Sequence, residues 1–205
     1  MKYIIIAITV TLILFSFTKK ETTTQTLTPE DTILAFGDSL TYGYNVQPAQ
    51  SYPALISQWT SIEVINAGIP TETSEDGLRR LPALLEDSSI KLMILCFGGN
   101  DIIQKSSMAT LKSNLKTMIQ MAKKKDMDVL LIAVPNINLF GLSPLTLYEE
   151  VAEEENIPLV SGLLVEILSK PSLKSDQIHP NALGYKQMAE KIYESLRENR
   201  WVEAS

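Results

Sequence analysis

From Asp31 onward the chain alternates short β-branched, apolar runs with longer amphipathic stretches. No other feature narrows its fold as much. Strands separated by helical patterns must be joined by crossovers, so the pattern predicts βαβ units built around a parallel sheet. Strands are expected at 32–36, 63–66, 92–97, 128–134 and 158–160. Between them Met108, Leu111, Leu115, Met118 and Ala122 recur at helical spacing, as one buried stripe requires. Tyr185, Ala189, Ile192 and Leu196 repeat the pattern near the end. Both stripes read as core. An apolar content of 45% can fill one substantial core, and no repeat or boundary appears after residue 30. Residues 31–205 therefore read as a single α/β domain.

What precedes that domain has another character. Met1 and Lys2 lead into an uncharged apolar run, Tyr3–Phe17, followed by Thr18-Lys19-Lys20. A positive start and an apolar stretch shorter than the roughly 20 residues of a comfortable span describe a secretory signal. The absence of an A-x-A-like site and the two following lysines describe an uncleaved anchor instead. Both readings of residues 1–20 stay open, with 21–30 as a polar, Thr-rich linker. Either predicts export, to a bacterial periplasm or beyond, soluble once clipped or tethered through residues 3–17.

Charge and rare residues exclude several classes of function. The net charge of −6 becomes −9 without the first 20 residues, and no basic stripe interleaved with aromatics offsets it. Nucleic acid is excluded as a partner. One His and one Cys cannot supply the four ligands of a structural zinc, and no EF-hand spacing occurs, so no metal is expected. The acidic cluster at Glu149, Glu150, Glu153, Glu154 and Glu155 reads as a wet helix face, and Lys123–Lys125 as a solvated helix end. Any chemistry that needs an imidazole must use His179.

In open parallel sheets ligands bind outside the carboxyl ends of the strands. The residues just beyond the expected strands are Gly37-Asp38-Ser39-Leu40, Asn66-Ala67-Gly68 and Gly98-Gly99-Asn100-Asp101, with Asp176-Gln177-Ile178-His179-Pro180 before the last helix. Each has an ordinary explanation. Asp38 or Ser39 can be a helix cap, Gly68 a turn residue with positive φ, and Asn100 a cap or Asx turn. Asp176 and His179 can be a turn before a helix that starts at Pro180. Together they supply what acyl transfer to a hydroxyl needs: a nucleophile, a base, a group orienting the base, and oxyanion donors. Ser39 would attack, His179 would carry the proton, and Asp176 would fix the imidazole tautomer. The N–H groups of Ser39 and Gly68 and the Asn100 amide would receive the oxyanion. The G-x-S-x-G elbow of α/β-hydrolases is absent, so this is another architecture.

Those same residues, in the same order, resemble the four blocks of the GDSL, or SGNH, hydrolases, over about Ile33 to Gly184. Gly37–Tyr44 and Ser175–Tyr185 look most like the bacterial branch of thioesterase I, lysophospholipase L1 and arylesterases. The resemblance implies a flavodoxin-like three-layer α/β/α sandwich whose central parallel sheet has about five strands. It implies catalysis by Ser39, Asp176 and His179, an oxyanion hole at Ser39, Gly68 and Asn100, and no cofactor.

The expected activity is hydrolysis of carboxylic esters of small-molecule acyl or aryl type, extending to thioesters and lysophospholipids. A carbohydrate O-acetyl esterase of the cell envelope is the alternative, and an inactive binding module with the same fold is an alternative of another class. Ile102 and the apolar segment 137–145, with Leu139, Phe140 and Leu142, either line the acyl pocket or pack beneath a loop. The sequence leaves the oligomeric state undetermined.

Overall fold

The computed structural model describes residues 26–138 and 141–203. In chain order the strands are β1 (Thr32–Gly37), β2 (Glu63–Gly68), β3 (Ile90–Cys96), β4 (Asp128–Ile132), β5 (Asn136–Asn138), β6 (Gly141–Ser143) and β7 (Leu159–Val160). The helices are α1 (Ser39–Tyr42), α2 (Tyr52–Thr60), α3 (Ser74–Leu84), α4 (Gly99–Ile103), α5 (Met108–Lys123), α6 (Thr146–Glu155), α7 (Leu163–Ser169) and α8 (Ala182–Glu198).

Five strands form one parallel sheet in the order β2-β1-β3-β4-β7. This is the doubly wound arrangement, in which the direction of winding reverses beside β1 and opens a crevice at the carboxyl ends of β1 and β3. Right-handed crossovers in opposite directions put helices on opposite faces. Accordingly α2 and α7 each pack on α8, while α3 and α6 each pack on α5. The three-layer α/β sandwich expected from the sequence is therefore what forms.

β1 and β3 are buried along nearly their whole length, because both faces of a central strand are covered. β2, at the sheet edge, is half exposed. The expected fourth strand ran to residue 134, but β4 ends at Ile132. Its outer neighbour β7 pairs only Leu159 and Val160 with Leu131 and Ile132, so the ladder gives out there. β5 and β6 form a separate two-stranded hairpin.

In α5, Leu111, Leu115, Met118 and Ala122 are buried as the stripe predicts, whereas Met108 at the helix start is exposed. In α8 all four stripe residues are buried. The acidic face of α6 is ion-paired. Lys112 reaches Glu150 (2.7 Å) and Glu154 (2.8 Å), and Lys116 reaches Glu154 at 2.7 Å.

The end of the expected linker is docked. Leu27 N–H donates to the Trp201 carbonyl at 2.8 Å, and Leu27 packs on the core. Trp201 is itself buried, its indole N–H donating to Asp128 Oδ2 at 2.7 Å. No helix among the described residues is long and apolar enough to cross a membrane. The apolar run of residues 3–17 lies outside them.

Candidate active site

β1 turns directly into α1. Asp38 is the N-cap, its Oδ1 accepting from Leu40 N–H at 3.0 Å. Because the aspartate caps the helix, the Ser39 hydroxyl is left for another partner. Ser39 Oγ lies 3.0 Å from His179 Nε2, across a sequence separation of 140 residues. His179 Nδ1 lies 2.8 Å from Asp176 Oδ2. An ionised carboxylate only accepts, so Nδ1 carries the proton and Nε2 offers its lone pair to the serine hydroxyl.

The loop holding the acid and the imidazole is tightly pinned. Asp176 Oδ1 accepts from the N–H groups of Ile178 and His179, each at 2.9 Å. Burial pushes the Asp176 carboxyl up, but those two N–H groups and the imidazole outweigh it and hold the pKa below its ordinary value. Ser175 N–H donates to the His179 carbonyl at 2.9 Å. Helix α8 does not begin at Pro180. Pro180 forms an antiparallel bridge with Lys174, and Asn181 is the cap, accepting from Leu183 and Gly184 N–H. A carboxamide can satisfy those orphan donors and a proline ring cannot.

Asn100 enters the cleft from α4, whose N-cap is Gly98 at φ +129°. A β-carbon at Gly98 would lie 2.1 Å from the Tyr148 hydroxyl, so only glycine can make this turn. Asn100 Nδ2 donates to the Glu72 carbonyl at 2.8 Å and approaches Asp38 Oδ2 at 3.5 Å.

Gly68 departs from its expected place. It is the last residue of β2, and its N–H donates to Asn66 Oδ1 at 3.0 Å. It lines neither cavity beside Ser39. Nor does it hold a positive φ. The glycine is required because a β-carbon would lie 2.1 Å from Tyr42 N, in the backbone of α1. The β2–α3 connection reaches the cleft instead through Pro70 and Thr71. Glu72 N–H donates to the Ile69 carbonyl (3.4 Å) and Thr71 sits at φ +71°, the positive φ that the third residue of a type II turn demands.

Two connected spaces meet at Ser39. One is an open cleft of about 480 Å³ lined by Ser39, Tyr44, Pro70, Thr71, Asn100 and His179 among others. The other is a small recess with Leu40, Ile103, Val134, Pro135, Leu168 and Ile178 as its apolar wall. Ile102, expected in the pocket, packs against the core, and its neighbour Ile103 lines the recess. One residue along a helix turns the side chain by about 100°. Leu142 also packs against the core and lines neither space. Leu139 and Phe140 lie outside the described residues.

Residues assigned no part in the chemistry from sequence complete the site. The Tyr44 ring lies 4.6 Å from the imidazole, centroid to centroid. Asn45 Nδ2 donates to Asp176 Oδ2 at 3.0 Å. Asp38 is buried, and desolvation, reinforced by Asp101 and Glu72, pushes its pKa up to about 7 against the pull of the Leu40 N–H. Asn45 sits at φ +66°, and nothing in the local sequence marked its partner 131 positions away.

A doubly wound sheet carrying a Ser–His–Asp chain at its switch point defines a class of hydrolase unlike the α/β-hydrolases. Residues 35–187 match the model of the GDSL-like lipase/acylhydrolase family, and the chain belongs to that family. It is 32% identical to the thioesterase 1/protease 1/lysophospholipase L1 of Escherichia coli K12, over 74% of this chain and 76% of that one. To the esterase TesA of Pseudomonas aeruginosa it is 30% identical, over 81% and 88%. Among solved structures, a crystal structure of TesA aligns with TM-score 0.74 at 28% identity, covering 82% of this chain and 99% of that one.

Proposed function

We propose that the protein is a serine esterase that hydrolyses small-molecule carboxylic esters through an acyl-enzyme. The observation that carries this reading is the unbroken chain Ser39 Oγ–His179 Nε2–Nδ1–Asp176 Oδ2, at 3.0 and 2.8 Å. Ser39 attacks the carbonyl carbon while His179 takes its proton, then returns that proton to the leaving oxygen or sulfur. Asp176 holds the tautomer and stabilises the imidazolium. Water, activated by the same imidazole, releases the acid.

The oxyanion donors we assign are the Ser39 N–H, the Asn100 amide by giving up its long 3.5 Å contact with Asp38 Oδ2, and the Thr71 N–H in place of Gly68. Each such donor contributes roughly 2.7–4 kcal/mol to lowering the barrier. Apart from that water, every step proposed uses the protein's own groups. The apolar recess favours an acyl chain over a sugar, in keeping with the lysophospholipase in the name of the E. coli relative. Export ahead of the domain is part of the same proposal, resting on residues 1–20.

The test is hydrolysis of p-nitrophenyl esters from acetate to palmitate by the wild type, Ser39→Ala and His179→Ala. Both variants should lose about 10⁶-fold in kcat. Covalent labelling by a fluorophosphonate should disappear in Ser39→Ala. Activity that survives Ser39→Ala would remove the nucleophile assignment. Hydrolysis confined to acetate would turn the reading toward deacetylation, and a folded, inactive, unlabelled wild type toward a binding module.

A further inference from the structure

We infer that Asn45 is a positioning residue for the proton relay, acting on the imidazole through Asp176. This inference rests on the proposed roles of Ser39, His179 and Asp176. Asp176 accepts from four directions. Oδ1 takes the two backbone N–H groups of its own loop, and Oδ2 takes the imidazole Nδ1–H at 2.8 Å and the Asn45 amide at 3.0 Å. The first three donors belong to the 176–179 loop itself and move with it. Asn45 is the only one of the four that comes from a different part of the chain, the segment following the helix that carries Ser39. The same amide nitrogen also donates to Ser175 Oγ at 3.2 Å, so it grips two consecutive residues of the acid–base loop. The Ser39 helix and the His179 loop are thereby tied on the far side of the imidazole from Ser39 Oγ.

The backbone at Asn45 agrees with this role. Its φ is +66°, a left-handed conformation that Asn adopts more readily than other non-glycine residues. The preceding residue, Tyr44, lays its ring against the imidazole. One turn thus supplies both a cover for the ring of His179 and a donor for its carboxylate partner. With Oδ2 shared between two donors, the carboxylate can rotate only by breaking the Asn45 bond as well as the imidazole bond.

The titratable groups around the pair define what its pH behaviour should report. Tyr44 faces the imidazole and Tyr185 of α8 feels the Asp176 charge. Asp38 lines the recess with His179, and Lys174 lies beside Asp176 on the outer surface. Among the described residues no Lys or Arg lines the cleft or the recess. A new carboxylate at position 45 would therefore add negative charge next to Oδ2 with no cation in the cleft to offset it. It would favour the imidazolium.

The experiment compares wild type, Asn45→Gly and Asn45→Asp, with Ser39→Ala as reference, using the full chain and p-nitrophenyl butyrate from pH 5 to 9. Glycine keeps the left-handed φ and removes the amide; aspartate keeps the φ and reverses the polarity at the contact. Asn45→Gly should lower kcat about five- to tenfold with KM within twofold. Asn45→Asp should move the acid limb of kcat/KM upward by about half a pH unit or more. A lower melting temperature with kcat and the acid limb unmoved in both variants would make Asn45 a loop-stabilising residue and overturn the inference. If Asn45→Gly fails to fold, the acid limb of Asn45→Asp decides alone. Full activity in Ser39→Ala would instead overturn the catalytic assignment on which the inference stands.

Discussion

Asp38 carries two demands at one residue. It must accept from the Leu40 N–H to cap the helix that begins at Ser39, and it must do so while buried among Asp101 and Glu72. Its pKa, raised from 3.8 to about 7, has a thermodynamic consequence. Between those values the folded state holds a proton that the unfolded chain has released, so stability is fully present below the unfolded pKa and falls as pH rises toward 7. The loss is of the order of 4 kcal/mol at most, at 1.36 kcal/mol per unit. Asp38→Asn keeps a cap acceptor and removes the charge. Measured by urea denaturation, its stability relative to wild type should improve by a few kcal/mol between pH 4.5 and pH 8. A difference that stays constant over that range would show that Asp38 ionises normally. Ser39 and His179 were legible in the sequence as candidates because a nucleophile and a base are defined by their own atoms. Asn45 and Thr71 were not, since each owes its place to a turn whose partner is distant in the chain.

At the scale of the element, the site depends on how closely α1 lies against the end of β2. A β-carbon at Gly68 would meet Tyr42 N at 2.1 Å and the Thr41 carbonyl carbon at 2.6 Å, both backbone atoms that cannot rotate away. Gly68→Ala should therefore cost about 3 kcal/mol or more and reduce activity by displacing the helix that presents Ser39. Differential scanning calorimetry beside kcat separates two roles. An oxyanion donor at Gly68 would keep its N–H in the alanine variant and leave the melting temperature unchanged. Arg80 braces the same edge. It pairs with Glu72 at 2.7 Å, donates to the carbonyls of Gly37 (3.2 Å) and Ala67 (2.8 Å), and stacks over Phe36. The ends of β1 and β2 and the turn carrying Thr71 are thus held by one half-buried guanidinium, an arrangement with no trace in local sequence pattern.

At the scale of the whole molecule, the two ends of the described chain are fastened to each other. Trp201 is 2% exposed, closes on Leu27 through its carbonyl, and reaches Asp128 at the start of β4. These contacts lie at the amino-terminal edge of the sheet, away from Ser39. Trp201→Ala should cost about 3–5 kcal/mol by cavity formation and a lost hydrogen bond, lowering the melting temperature of a domain this size by about 10 °C. The kcat at 20 °C should stay within twofold. A large fall in kcat of the folded variant would show that the fastening is coupled to the site.

The sequence by itself determined the architecture and narrowed the chemistry. Alternating apolar runs and helical stripes dictate a parallel α/β sheet, and a lone imidazole with a serine, carboxylates and amides beyond the strand ends and before the last helix limits the reaction. These properties are written in residue types and short spacings, which survive in any reading of the chain. Only the tertiary structure decided that Gly68 is a packing residue, that Ile103 rather than Ile102 lines the recess, and that Asn45 grips Asp176. Such facts depend on which backbones approach within van der Waals contact. That is fixed by the crossing of whole elements, and no local pattern records it.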